Sequence, residues 1–384
     1  MSQETIYLDY ASTAPLLEDV KKRVTAMLDV FGNPSSLHRI GMDAEARLSA
    51  ARESVLQALG AREGRLVFTG GGTEANNLAV RGSAPHLERR GRHIITTAIE
   101  HPAVHEPLRA LCAQGWEVTY VRPDENGDVS LTDVVNAIRQ DTVLISMMHV
   151  NNETGAILPV EELSGVLKDY PKIRFHVDGT QALGKIPVRL ADTSIDLYTV
   201  SAHKIGALKG VGALYVRQGV RLEPILYGGG QEAGTRSGTE NVLGADAFGL
   251  AAAIAVENVR LDQDAAQTRQ WFIDELEQIP GWIVRKPKCA SPYIVNASLR
   301  GLRGEVIVHA LESKGVYVSS GSACSTARGK QKRSHVLEAM GLALEEIDAA
   351  VRFSWHPGTK REDLRKALVI VREQSEWLRS MVGA

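Results

Sequence analysis

Cysteine is scarce in this chain of 384 residues: Cys112, Cys289 and Cys324 are the only three. Three widely spaced thiols make neither a disulfide framework nor a zinc ligand set, so no metal site is expected. They leave room for one reactive thiol. A charge excess is also missing. Lys and Arg number 44 against 46 Asp and Glu, a net −2 at pH 7. That balance gives no electrostatic reason to expect direct nucleic-acid binding or a membrane-surface partner. No uninterrupted apolar run approaches the ~20 residues that span a bilayer. Met1 to Thr5 is polar, without an apolar signal core. The expectation is a cytoplasmic protein that makes no membrane contact. Internal repeats and low-complexity tails are absent too.

What the chain does have is alternation. Strand-like runs at Leu66–Phe68, His93–Ile99, Trp116–Val121, Val143–Val150, Ile173–Val177, Asp196–Val200 and Ala213–Val216 are interleaved with helix-like segments at Thr73–Arg81, Ala103–Cys112, Leu131–Arg139 and Val160–Asp169. Such alternation predicts an α/β fold, a mostly parallel seven-stranded sheet flanked by helices. Ligand sites in these sheets gather at the carboxyl ends of the strands. Upstream, helices are expected over Leu16–Val30 and Met42–Leu59. Downstream, one long helical stretch is expected from Val242 to Gln278. Strands at Gly281–Arg285, Ile294–Ser298, Val316–Ser319 and Val351–Ser354 follow, with helices at Glu305–Ser313 and Arg361–Met381. Thr359 and Glu362 match a capping box for the last helix. Residues 16–260 read as a large domain; 1–15 and 261–384 read as a smaller α+β domain.

Three stretches carry chemistry. Lys204, in Ser201-Ala202-His203-Lys204, follows directly on a buried strand. There a lysine can be desolvated enough to lose its proton and form a Schiff base, or it can be an ordinary loop lysine. Phe68-Thr69-Gly70-Gly71-Gly72-Thr73-Glu74 ends a strand, turns on glycines and opens a helix. That is either a phosphate cradle, with the Thr73 hydroxyl as a donor, or a tight strand–helix turn. Asp178, in Phe175-His176-Val177-Asp178-Gly179-Thr180-Gln181, ends a core strand. A carboxylate there either pairs with a protonated pyridine nitrogen or caps a helix. Schiff-base lysine, phosphate cradle and strand-end aspartate have one obvious common ligand, pyridoxal 5'-phosphate.

A longer series of motifs follows the same order. It runs Tyr7-Leu8-Asp9-Tyr10, Gly32-Asn33-Pro34-Ser35-Ser36, Gly72-Thr73-Glu74-Ala75-Asn76-Asn77, Glu100-His101-Pro102-Ala103-Val104 and His149-Val150-Asn151-Asn152-Glu153-Thr154-Gly155. It continues through Asp178-Gly179-Thr180-Gln181, Ser201-Ala202-His203-Lys204 and Arg236-Ser237-Gly238-Thr239-Glu240-Asn241. It closes with Ser319-Ser320-Gly321-Ser322-Ala323-Cys324 and Arg352-Phe353-Ser354. The set resembles the NifS/IscS-type cysteine desulfurases, fold-type I pyridoxal-phosphate enzymes, over nearly the whole chain.

The resemblance implies roles. Lys204 would hold the cofactor and move the substrate Cα proton. Asp178 would face the pyridine nitrogen, and His101 would stack on the ring and assist proton transfer. Asn152 and Gln181 would lie near the ring hydroxyl and substrate. Gly72, Thr73, Ser201 and His203 would hold the phosphate. Thr239 would reach the partner's phosphate across a homodimer with shared sites. Arg352, with Asn33, would clamp the substrate carboxylate. Cys324, among small polar residues, would take sulfur from L-cysteine as a persulfide, leaving L-alanine. The sulfur would pass to an acceptor protein in iron–sulfur cluster assembly or in tRNA or cofactor thiolation. The alternatives are a selenocysteine lyase or another pyridoxal-phosphate lyase or aminotransferase. Cys112, beside Leu108 and Leu111, reads as a buried structural thiol and Cys289 as a surface one. Against the family pattern, Gly70 replaces a serine, Gly206-Ala207-Leu208 is an altered turn, and Trp355-His356-Pro357 is unusual. The loop Ala327-Arg328-Gly329-Lys330-Gln331-Lys332-Arg333-Ser334 is more basic than usual. It reads either as a solvated charge run or as a dock for an acidic acceptor.

Overall fold

The computed structural model describes residues 5–320 and 333–382. The chain opens with a short strand β1 (Ile6–Tyr7) and helices α1 (Glu18–Met27) and α2 (Arg39–Ala58). Then come β2 (Arg65–Thr69), α3 (Gly72–Leu87), β3 (His93–Thr97), α4 (Pro102–Cys112), β4 (Glu117–Val121), α5 (Leu131–Asn136), β5 (Thr142–Met148), α6 (Val160–Val166), β6 (Arg174–Asp178), β7 (Leu197–Ser201) and β8 (Gly212–Val216). Strands β2 to β8 form one seven-stranded sheet in the order β2-β8-β7-β6-β5-β3-β4. Only β8 runs against its neighbours; the other pairings are parallel. Every residue of β3, β5, β6, β7 and β8 is buried, the signature of strands covered on both faces. The expected mostly parallel sheet is therefore present.

After the sheet come α7 (Val242–Leu261) and α8 (Ala265–Glu277), where one continuous helix was expected. The break falls at Asp262, whose backbone leaves helical geometry (φ −85°, ψ 67°). Its carboxylate accepts from the Tyr293 hydroxyl at 3.0 Å. Helix α7 is long and apolar enough to cross a bilayer by length and composition. Half of it is buried, with Gly249 against Ala51 of α2, as in a core helix.

The C-terminal part adds β9 (Trp282–Val284), β10 (Ile294–Leu299), α9 (Gly304–Glu312), β11 (Val316–Tyr317), β12 (Ser319–Ser320), α10 (His335–Ala339), α11 (Leu344–Asp348), β13 (Ala350–Ser354) and α12 (Arg361–Val382). The run expected as one strand over Val316–Ser319 serves two sheets. Its first half pairs with β1 and its second with β13. The second sheet has the order β12-β13-β10-β9 and its own apolar cluster, built on Phe272, Val295, Phe353 and Leu364, with Ile6 and Leu8 from the N-terminus.

Two smaller expectations are corrected. Helix α12 begins at Arg361, and the Thr359 hydroxyl accepts from the His356 N–H at 3.1 Å, so no Thr359–Glu362 capping box forms. Cys112 is exposed. The buried face of α4 is Ala103, Val104, Pro107, Leu108 and Leu111, and the next residue rotates about 100° away from it. Cys289 is exposed, as expected.

Candidate active site

The carboxyl ends of β2, β3, β5, β6 and β7 surround one cavity of about 280 Å³, near the ~300 Å³ lower end for small-molecule sites. It is lined by Gly72, Thr73, His101, Asn152, Asp178, Gln181, Ser201, His203, Lys204 and Arg352. Ten of the residues singled out in the sequence thus meet. A larger groove of about 830 Å³, walled by charges of both signs and containing Cys289, lies elsewhere and holds none of them. Asn33 and Thr239 are exposed and outside the cavity. Asn33 accepts from the Ser35 N–H at 2.9 Å, a local turn contact. Cys324 and most of the basic loop after it lie outside the described residues.

One wall is the β2–α3 corner. Gly71 has φ +148°, a left-handed value that favours glycine, and the next residue opens α3. A Cβ on Gly72 would lie 3.1 Å from Thr180 Oγ1 and 3.4 Å from Ser201 Cβ. Glycine therefore keeps open a concave floor onto which the first N–H groups of α3 point. Glu74 holds the corner, accepting from the Gly70 N–H at 2.8 Å and from Arg236 at 2.8 Å.

Asp178 is the last residue of β6 and is buried. Its carboxylate accepts from Asn76 Nδ2 at 2.7 Å and from the Thr180 N–H at 3.0 Å. The Thr180 contact is the local one that a capping aspartate makes. The Asn76 contact reaches across from α3, and both Asn76 and Asp178 face the cavity.

Lys204 ends the single turn after β7 and donates to the carbonyls of Ala11 and Ser12, at 2.8 Å each. His101 caps α4, its Nδ1 accepting from the Ala103 N–H at 3.1 Å, which leaves the ring proton on Nε2. Burial pulls its pKa below the usual histidine value, so the ring is neutral. His203 is pulled down to about 4, by burial first and then by the Lys204 charge.

Arg352 projects from β13 and is buried. It donates to the Asn152 carbonyl at 2.8 Å, to Asp9 Oδ1 at 2.7 Å and to Ser12 Oγ at 2.6 Å. Gln181 donates through Nε2 to the Ala11 carbonyl at 2.8 Å and accepts from Lys185 Nζ. The turn Asp9–Thr13 thus holds the lysine, the arginine and the glutamine together, and His203 through Thr13.

Asn76, the Asp9–Ser12 turn, Lys185 and Glu100 carry no role in the reading of the sequence. Asp9 and Asn76 stand inside quoted motifs, and Lys185 lies four residues beyond Gln181. Burial is what exposes Glu100: its Oε1 accepts from Thr97 Oγ1 at 2.7 Å and from the Met148 N–H at 2.8 Å. Burial pushes its pKa up to about 8.

The family model for class-V aminotransferases matches residues 6–366. The chain belongs to the class-V aminotransferase family. A cysteine desulfurase IscS of Dictyoglomus turgidum is 41% identical over 98% of this chain and 96% of its own length. Among solved structures, a NifS-like protein superposes with a TM-score of 0.89 at 33% identity, covering 97% of this chain and all of its own. SspA in complex with cysteine gives 0.79 at 33% identity, over 92% of this chain and 99% of that one.

The cofactor is pyridoxal 5'-phosphate, and the donor set fits it. The α3 amino end, Thr73 and Ser201 suit a phosphate, the Asp178 carboxylate suits a protonated ring nitrogen, and Lys204 suits an aldehyde. Two buried polar atoms on the cavity's residues, Asn76 Oδ1 and Arg352 Nε, have no partner among the described residues. A ligand of mixed polarity is what such a lining accommodates.

Proposed function

We propose that this protein is a cysteine desulfurase, releasing L-alanine from L-cysteine and carrying the sulfur as a persulfide on Cys324. The observation that supports it most is the meeting of Lys204, Asp178, His101 and Arg352 in one cavity, in a chain 41% identical over nearly its full length to a named cysteine desulfurase. Pyridoxal phosphate supplies, when bound, an aldehyde that condenses with an amine and a ring that accepts the electron pair left at Cα.

The chain's residues do the rest. Arg352 takes the substrate carboxylate in a charge-assisted, bidentate manner. Lys204, on the cavity wall, would hold the cofactor's aldehyde and would take the substrate Cα proton and return it. Asp178, oriented by Asn76 and the Thr180 N–H, keeps a proton on the ring nitrogen. His101, neutral and with its proton on Nε2, relays a proton beside the ring. The Cys324 thiolate then attacks the substrate sulfur: a new S–S bond forms, the Cβ–S bond breaks, and its electron pair goes to the alanine product. An acceptor, an iron–sulfur scaffold or a thiolation enzyme, takes the persulfide sulfur onward.

A homodimer completes the reading. Thr239 lies outside its own cavity, in keeping with service to a partner. Phe31, Leu37 and Tyr227 are 80%, 94% and 76% exposed, apolar side chains that a partner subunit would cover. The test is alanine and sulfide measured together from L-cysteine and a reductant. Wild type gives equal amounts, and Cys324→Ser loses at least a hundredfold of both. Desulfuration surviving in Cys324→Ser would sink the persulfide reading.

A further inference from the structure

Lys185 is a second lysine behind the cavity, 5% exposed and not part of its lining. It sits on the turns that follow Gly179, with its N–H bonded to the Ala182 carbonyl at 3.0 Å. Its ammonium position is unusual. The charged side chains that act on it are cations, Lys204 and Arg352, and its own charge in turn lowers the pKa of the His203 and His356 imidazoles. No ion pair to a carboxylate is found for it among the described residues. Burial and those cations hold its pKa well below the ordinary lysine value. Such a group carries a desolvation cost that a methionine would avoid, so its presence calls for a use.

Its use is visible in one contact. Lys185 Nζ donates to Gln181 Oε1, while Gln181 Nε2 donates to the Ala11 carbonyl at 2.8 Å. An amide has one oxygen and two N–H groups. With the Lys185 amine on its oxygen and the Ala11 carbonyl on one N–H, Gln181 keeps its second N–H to donate towards the cavity. We propose that Lys185 is a positioning residue for the reaction: it locks the Gln181 amide so that an N–H, not the carbonyl, faces the bound cofactor. This rests on the reading that Gln181 lies beside the ring hydroxyl. A donor there stabilises the oxygen's anionic form and so weakens its hold on the proton of the cofactor–Lys204 linkage.

The test is an absorbance titration of the holoenzyme against pH, which reads that proton directly. Lys185→Met and Gln181→Leu should each raise the midpoint by about one unit, a tenfold change in proton affinity. The double variant should match either single one. Lys185→Gln, which keeps a donor but no charge, should titrate as wild type does. An unmoved midpoint in Lys185→Met beside a shifted Gln181→Leu would overturn the inference and leave the site reading standing. Additive shifts, or a Lys185→Gln midpoint displaced like that of Lys185→Met, would assign the effect to charge and overturn it too. An unmoved Gln181→Leu would instead remove the reading of Gln181 itself. If Lys185→Met does not fold, Lys185→Leu, equally unable to donate to the Gln181 oxygen, takes its place with the same expected and overturning midpoints.

Discussion

Glu100 keeps its proton at neutral pH because nothing in its surroundings repays an anion. It is wholly buried, and the Asp178 carboxylate adds to the burial cost, while the Thr97 hydroxyl and the Met148 N–H offset only part of it. Its Oε2 has no partner among the described residues. The pKa rises from 4.5 to about 8 on folding, so the folded state binds the proton more tightly than the unfolded one. Between those values stability falls with rising pH: the contribution is complete below about pH 4.5 and lost as pH passes about 8. The slope is at most about 1.4 kcal/mol per pH unit. Glu100→Gln keeps a carbonyl for Thr97 and Met148 but cannot ionise. Its stability relative to wild type should therefore climb from pH 5 to pH 8 in chemical denaturation. Parallel curves for the two proteins would show that Glu100 is not the titrating group.

At the scale of elements, the β2–α3 corner separates folding from ligand binding. Gly72→Ala suits a helix better by propensity, so the cofactor-free protein should be as stable as wild type or slightly more so. Its Cβ would stand 3.1 Å from Thr180 Oγ1 on the floor of the cradle. Cofactor binding should weaken by about tenfold, ~1.4 kcal/mol, in equilibrium dialysis; unchanged binding would mean the phosphate sits elsewhere. This corner was legible in the sequence because strand, glycines and helix are contiguous. Lys204 and Asp178 were legible for the same reason, each standing directly where an apolar run stops. The contacts that set their chemistry were not. Asn76 meets Asp178 from 102 positions away, and Ala11 meets Lys204 from 193. No periodicity encodes such pairings; only the strand order does. The α7–α8 break was hidden because Asp262 leaves the helix where the polar residues already thicken. The Val316–Ser319 run read as one strand because a change of partner sheet leaves alternation undisturbed.

Across the whole molecule, the Asp9–Thr13 turn is where two sheets meet over one cavity. Arg352 comes from the four-stranded sheet and Lys204 from the turn that follows a strand of the seven-stranded one, and both donate to this turn. The turn is tied to β13, with the Ser354 N–H donating to the Leu8 carbonyl at 2.8 Å. Asp9 is thus the resident carboxylate of a guanidinium proposed to bind a visiting one. Asp9→Asn preserves shape and removes the charge, leaving the buried Arg352 without its anion. That should cost roughly 3 kcal/mol in the absence of substrate. A ligand carboxylate would then supply the missing partner, so L-alanine should stabilise the Asp9→Asn holoenzyme more than it stabilises wild type. Unequal shifts in the denaturation midpoint on adding L-alanine, larger for the variant, are the expected result. Equal shifts would mean that Asp9 and the substrate carboxylate do not share Arg352, and that the arginine's task is to join the sheets.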